Sequence, residues 1–333
     1  ATPYYGRAGK AALRIFANAE AVTALQRAVA LLETSAPQSV WEEGAMLYLS
    51  LGDVFAMLGQ QAEARQIYQR GRASVPASAA LWQARLLRKT ASTWNLASSN
   101  PLDTFHRTAR QVFQEVEGIL EHAADQARPA WIAEWIDLQL AQLLPLRGSV
   151  EEMTILIEKA RPLLNRHGTA EQRGQFLQAV GSRDSKRDRY VASEETIRAH
   201  RETLLAVQNT GNPVLIGFSH FSLGNHLLWA GRLDEAEQEM QAGIDLAEQT
   251  GNTRLLARCL TFLPCVFRRR EHIAEVRALV LRAMTVPEAR YTAMIKGHQA
   301  WIAWREGNVA EAETLGHASL TEEIQHPLGV NPF

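Results

Sequence analysis

The segment Leu223-Gly224-Asn225-His226-Leu227-Leu228-Trp229-Ala230-Gly231-Arg232-Leu233-Asp234-Glu235-Ala236 constrains this chain more than any other. Its spacing returns in weaker form. Leu51-Gly52-Asp53-Val54-Phe55 is followed by Gly59, Ala64 and Tyr68, and Ala300, Ala303, Gly307 and Ala312 repeat it near the C-terminus. Small residues at fixed offsets inside paired amphipathic helices are the signature of a helical-repeat solenoid. Each unit of such an array buries its apolar face against its neighbours. The expected fold is all-α: an α-α superhelix of about seven helical hairpins, with residues 1–333 forming one repeat domain. A chain of this kind presents a concave surface to a partner and carries no built-in chemistry, so a non-catalytic protein is expected.

Length would otherwise suggest two or three domains for 333 residues. The formal net charge is -1, against the basic footprint of a nucleic-acid binder. Two cysteines, Cys259 and Cys265, are too few for a disulfide framework and read as core thiols of a cytoplasmic protein. Six residues apart on a helix, they face opposite ways, which disfavours a local bridge or metal pair. The opening residues ATPYYGRAGK lack the apolar stretch of a signal peptide, and no apolar run reaches the length of a bilayer span. The chain starts on Ala, and the end from His326 to Phe333 is rich in turn residues. Both read as edges of a piece from a larger protein.

Laid out in units, the repeat is explicit. Counted from Ala45, Tyr48 falls at position 4, Leu51 at 7, Gly52 at 8, Phe55 at 11, Gly59 at 15, Ala64 at 20, Tyr68 at 24, Gly71 at 27 and Pro76 at 32. This resembles the tetratricopeptide repeat at nearly every anchor. Gly52 and Ala64 let two helices approach closely, Gly59 suits a helix end, and Pro76 stops the second helix. A unit from Gly217 fills the same positions, and its second helix runs on to Thr250-Gly251-Asn252. Thr210-Gly211-Asn212 precedes it by forty residues, so the period here exceeds the usual one.

Further units start at Glu134, Ala257 and Ala293. In the Ala257 unit Pro264 replaces the small residue at position 8, and proline inside a helix predicts distortion there. Residues 8–33 read as one helix of the second type. Residues 79–121 read as a helix carrying Trp82, Leu86, Leu87 and Trp94, a loop at 98–101, and a long helix from about 103 to 121. Two helices are expected at 169–185 and 193–209, with a solvated polar loop over 183–189 and irregular structure near 95–102 and 182–192. Ser193 is expected to cap the later helix. Roughly fifteen helices and no strand follow from this reading.

Tyr4-Tyr5-Gly6-Arg7-Ala8-Gly9-Lys10-Ala11-Ala12-Leu13-Arg14, continuing to Ala21, resembles the start of the repeat region that follows the ATPase module in large bacterial signalling ATPases. Those STAND-type proteins join an ATPase to a nucleotide cyclase or to a LuxR-like transcription activator. The long repeats with Thr-Gly-Asn turns are similar to that family's C-terminal half and to the sensing domain of a maltose-type activator. Gly9-Lys10 is followed by Ala and lacks the glycine spacing of a phosphate loop. The resemblance therefore implies only a sensor or scaffold piece, without cofactor or catalysis. Its partners would be a protein or peptide, or the ATPase, cyclase or DNA-binding domains of the same parent. The alternative it implies is a sensor enclosing a small effector such as a sugar or peptide. No direct contact with nucleic acid or membrane is expected.

The histidines, including His200, His220 and His226, lack the spacing of a metal site and read as packed side chains. Glu151-Glu152 and Glu194-Glu195 sit where acids favour a helix start, and Arg268-Arg269-Arg270 where cations favour a helix end. The concave face is the better candidate. In tetratricopeptide repeats it is lined by first-helix positions 2, 5, 9, 12 and 13. Here these are Phe218, Phe221, Asn225, Leu228 and Trp229 in one unit, and Met294, Gly297, Trp301, Trp304 and Arg305 in the last. The Glu134 unit supplies Trp135, Leu138, Gln142, Pro145 and Leu146. Aromatic and arginine side chains are the common anchors of interfaces. Phe218, Phe221, Asn225, Trp229, Trp301, Trp304, Arg305 and Trp135 are the candidate binding residues, and no metal ligand is assigned.

Overall fold

Glycine-ended and asparagine-capped helices set the architecture. In the computed structural model, residues 2–35, 41–97, 104–123, 128–143, 150–189, 191–286 and 291–325 are described. They form sixteen α-helices and, among the described residues, no strand. In chain order these are α1 (Thr2–Arg14), α2 (Asn18–Ser35), α3 (Trp41–Met57), α4 (Gln61–Ser74), α5 (Ala80–Ala97) and α6 (Thr104–Glu121). Then follow α7 (Pro129–Leu143), α8 (Val150–His167), α9 (Ala170–Arg187), α10 (Glu194–Gln208) and α11 (Pro213–Trp229). The last are α12 (Leu233–Thr250), α13 (Thr253–Arg269), α14 (Ile273–Thr285), α15 (Thr292–Arg305) and α16 (Val309–Gln325). The described chain divides into two compact units. One holds α1–α7 and the last turns of α8; the other holds the first turns of α8 and α9–α16. No described helix is long and apolar enough to cross a membrane.

In the first unit, Gly52 sets the approach of α3 and α4. A Cβ there would lie 2.2 Å from Cε1 of Tyr68. The ring fills that space, and its hydroxyl donates to Asp53 at 2.6 Å. Leu25, Tyr48, Leu51 and Leu86 complete one apolar cluster, while Leu87, Phe113, Leu120 and Leu138 belong to another across α5, α6 and α7. A buried ion network ties α5 to α7. Arg88 Nε donates to Glu134 at 2.5 Å and another of its nitrogens to Asp137 at 3.1 Å, while Arg85 Nε reaches Glu134 at 2.9 Å. Burial alone would raise the Glu134 pKa, but the Arg88 and Arg85 guanidinium groups outweigh it and hold the carboxyl below its ordinary value.

The second unit is more regular. Gly211 and Gly251, both at φ +65°, occupy the left-handed region that glycine enters without a Cβ penalty. Asn212 then caps α11 by accepting from the Val214 and Leu215 amides, with Pro213 in the first turn; Asn252 caps α13 by accepting from Leu255. Both Thr-Gly-Asn turns noted in the sequence thus pair a left-handed glycine with a capping asparagine, although α12 runs to Thr250 and ends on Gly251 whereas α10 ends two residues earlier, at Gln208. Leu223, Leu227, Met240, Ile244, Leu255 and Leu263 lie in one continuous core.

Several expectations change. The sixteen described helices exceed the roughly fifteen expected, because residues 8–33 are two helices and not one. The break falls at Ile15-Phe16-Ala17, where Phe16 takes a left-handed φ of 59° without any glycine to signal it. The polar run after Gly181 is not a loop up to residue 187, because α9 continues through it. Its polarity has a buried side: Ser185 is buried and hydrogen-bonded, and Arg183 pairs with Asp184. Among the described residues irregular structure there is confined to 188–189 and 191–193, and Ser193 caps α10 as expected. α5 is helical to Ala97; the expected loop at 98–101 lies outside the described residues. Pro264 sits inside an unbroken α13. Proline removes one donor from the backbone ladder, and nearby the Thr261 carbonyl accepts from Nε2 of His298 on α15 at 2.8 Å.

Candidate functional site

The first helices of three consecutive hairpins, α11, α13 and α15, lie side by side in the second unit. On α11, Phe218 is half-buried, whereas Phe221 is buried edge-to-face against Phe262, with ring centroids 5.4 Å apart. Leu228 is wholly in the core. Asn225 and Trp229 are half-buried, and Asn225 Oδ1 and Trp229 Nε1 are buried atoms without a hydrogen-bond partner. On α15, Met294 is buried, Trp301 is half-buried, and Trp304 is 57% exposed. Arg305 reaches Glu271 at 3.0 Å and lies over both Trp301 and Trp304. Trp135 belongs to the other unit, where it stacks on Trp131 at 5.2 Å. Leu138 is buried there; Pro145 and Leu146 lie outside the described residues.

The arginine run divides in a way the sequence reading did not anticipate. Arg268 lies over Trp301 at 5.5 Å and Arg269 over Trp229 at 5.6 Å, joining α13 to the aromatic residues of both neighbours. Arg269 also donates to the Leu228 carbonyl at 2.8 Å. Only Arg270 turns away, to pair with Asp234 and Glu237 on α12. Earlier on α13, Arg258 lies over Phe221 at 5.1 Å and donates to the Tyr291 hydroxyl. Arg258, Arg268 and Arg269 occupy positions 2, 12 and 13 of the Ala257 unit, the offsets already used for Phe218 and Trp229. Applying those offsets to the proline-containing unit would have found them. A guanidinium over an aromatic face gains about 0.5–2 kcal/mol and keeps its N–H edges for planar anions.

A second polar cluster lies deeper. The His200 and His226 rings stack at 3.8 Å. Ser185 Oγ lies 2.5 Å from His226 Nε2, and His226 Nδ1 lies 2.7 Å from the Ser222 carbonyl. The Ser222 carbonyl assigns the imidazole proton to Nδ1, and the single Ser185 hydroxyl proton is shared between the Gly181 carbonyl at 2.6 Å and the bare Nε2. The pair has the elements of a nucleophile and base, but Ser185, His200 and His226 are all buried and the base is oriented by a backbone carbonyl. Burial, reinforced by the neighbouring His226, lowers the His200 pKa to about 3; burial also lowers that of His226. Both rings are neutral packing elements between α10 and α11. A Cβ at Gly181 would lie 2.5 Å from the His200 ring. Among the described residues no group of three or more His, Cys, Asp or Glu side chains is placed to hold a metal ion.

No protein-family model matches the sequence, and no curated protein matches it significantly. Solved structures do match. One is a Signal Transduction ATPase with Numerous Domains (STAND) protein with a tetratricopeptide repeat sensor, from Pyrococcus horikoshii. It aligns with a TM-score of 0.56 at 12% identity over 98% of this chain and 49% of its own. This chain thus spans about half the length of that STAND protein. A Rap protein complexed with competence and sporulation factor aligns with a TM-score of 0.55 at 10% identity, over 97% of this chain and 92% of its own. Aspartyl phosphate phosphatase F from Bacillus subtilis aligns with a TM-score of 0.51 at 11% identity, over 100% and 96%. At such identities the likeness shows the fold, which is that of the tetratricopeptide-like superhelical repeat proteins.

Proposed function

We propose that the chain is a non-catalytic, regulatory repeat domain in bacterial signal transduction that binds a protein or peptide segment along the α11–α13–α15 face. The observation that carries this reading is the aromatic–arginine surface shared by three successive first helices. Trp229, Trp301 and Trp304 offer large contact area at low entropic cost, and the arginines offer directed donors. The STAND sensor and the Rap complex among the structural neighbours support a signalling role. Communication with other domains of a parent protein would then follow from the bound segment stiffening neighbouring hairpins.

The test is selection of short random peptides against the folded chain. Trp229→Ala or Trp304→Ala should weaken the selected binders by about 2 kcal/mol, the cost of losing a hot-spot anchor. Arg232→Ala, in the turn before α12, should leave affinity unchanged. Helicity must be equal in all variants, since a lost tryptophan also leaves a cavity. Failure to recover any binder, or binders indifferent to both tryptophans, would remove the function from this face.

A further inference from the structure

The first and last described helices expose faces that later and earlier helices of the array bury. Counted like the other units from Thr2, Gly9 falls at position 8, Ala21 at 20 and Leu25 at 24, so α1 and α2 form a full hairpin of the repeat. A Cβ at Gly9 would lie 2.6 Å from Cγ of Leu25, the same close crossing as Gly52 with Tyr68 and Gly224 with Met240. Tyr4 then takes position 3 and Ala11 position 10. On α3 and α13 those positions hold Leu47, Val54, Cys259 and Val266, all buried. Cys259 Sγ would lie 3.0 Å from a Cβ at Gly243, on the second helix of the hairpin before it. On α1 the same stripe is open: Tyr4 is 65% exposed, Ala11 is exposed, and Ile15, just past the helix end, is 75% exposed.

α16 carries the counterpart. Its Val309, Glu313, Leu320 and Ile324 correspond to Leu233, Glu237, Ile244 and Glu248 of α12. In α12 the stripe is answered by the hairpin that follows. Ile244 is fully buried, Glu237 pairs with Arg270 at the end of α13, and Glu248 pairs with Arg282 of α14. In α16, Leu320 is 61% and Ile324 81% exposed. The end repeats of a solenoid need polar outer faces to remain soluble alone, and these two present large apolar side chains instead.

Charge decides what fits them. α1 holds Arg7, Lys10 and Arg14 and no acid; α16 holds Glu311, Glu313, Glu322 and Glu323 and no Lys or Arg. Two α16 faces would set glutamates against glutamates, and two α1 faces cations against cations; α1 against α16 is the complementary match. The repeat register agrees. Position 21 of a second helix pairs with position 14, just past the next first helix, in Glu237–Arg270 and, with polarity reversed, in Arg277–Glu306. Position 21 of α16 is Glu313, and Arg14 lies one residue before position 14 of the α1 unit.

We propose that copies of this chain associate head to tail, α1 of one copy stacking on α16 of the next as α13 stacks on α12. Tyr4 and Ile15 meet Leu320 and Ile324, and Arg14 meets Glu313. The contact is heterologous, so each added copy brings a new free end. A single helix-on-helix junction is small beside the roughly 1,200–2,000 Å² of a stable interface, so the association depends on concentration. It involves neither Trp229 nor Trp304 and stands apart from peptide binding.

Sedimentation velocity of the full chain tests this. The mean mass should rise from about 10 μM to about 1 mM protein at low salt and fall again in about 0.5 M NaCl. Leu320→Lys with Ile324→Lys should weaken self-association at least about tenfold, and so should Tyr4→Glu with Ile15→Glu. All four side chains are exposed, so helicity and urea midpoint should stay parental. Mixed one to one, the two variants should form a dimer and stop there, because each keeps one intact end. Arg14→Glu and Glu313→Arg should each weaken association and restore it when combined. A parent chain that stays monomeric to about 1 mM would overturn the proposal and leave both faces to a different partner. A mixture that stays monomeric would overturn it as well. Association abolished by the α16 changes but indifferent to those on α1 would overturn it in favour of a symmetric α16 pair.

Discussion

Glu271 stands in a turn position that carries glycine in three other hairpins. Its φ is 61°, beside values of 80°, 78° and 83° at Gly59, Gly231 and Gly307. A side chain in the left-handed region costs about 1–2 kcal/mol. Glycine would relieve that cost but enlarge the freedom of the unfolded chain, and the exposed pair with Arg305 would be lost. The net expectation for Glu271→Gly is a gain of up to about 1 kcal/mol, read as a higher urea midpoint. His298 predicts the opposite kind of sensitivity. Its Nε2 donates to Thr261 and its Nδ1 faces Arg268 at 3.3 Å, so the ring is held neutral. Burial, aided by Arg268, lowers its pKa from 6.5 to about 4. The unfolded chain therefore binds this proton first as pH falls. Stability is full above about pH 6.5 and is lost down to about pH 4. Between pH 7.5 and 5 the loss from this residue is about 2 kcal/mol, and His298→Gln should flatten that part of the urea-midpoint profile. Sequence spacing identified the tryptophans of the face but not the arginines between them, because Arg268 and Arg269 also satisfy the simpler rule for a helix end.

Among elements, the closest helix crossings are the most exacting. The Tyr68 ring occupies the place of a Gly52 side chain and is pinned by its bond to Asp53. Gly52→Ala should cost about 1–3 kcal/mol through overpacking, seen as a lower midpoint with native helicity retained. Gly224→Leu should behave alike, since its Cβ would meet the Ala236 carbonyl oxygen at 3.2 Å as well as Met240. Such glycines were legible because their spacing repeats. The break between α1 and α2 was not, because Ile15-Phe16-Ala17 contains no turn residue. The continuation of α9 was hidden for a different reason. Its polar side chains read as solvated, and beyond its own helix the buried partner of Ser185 is His226, from later in the chain. Local composition cannot report a hydrogen bond made across forty residues.

At the scale of the molecule, contacts run chiefly from each helix to its near neighbours in sequence. Stability in such an array is a sum of local terms, so damage stays local. Arg88→Ala would leave Glu134 buried with only Arg85 beside it. Removing one partner of a buried pair costs about 3–5 kcal/mol. Hydrogen exchange should then quicken in α5 and α7 while α12, α13 and α14 keep their protection; uniform quickening would show that the chain unfolds as one body. The turns at Thr210-Gly211-Asn212 and Thr250-Gly251-Asn252 carry a further consequence. Each ends one hairpin in a left-handed glycine and caps the next with the same asparagine bond. Splicing Gly211 directly to Asn252 would excise α11 and α12 and rebuild an intact junction from the two halves. The same three residues at both junctions therefore let the array be shortened or lengthened by a whole hairpin with the local backbone kept, so this fold is divisible in modules rather than in residues.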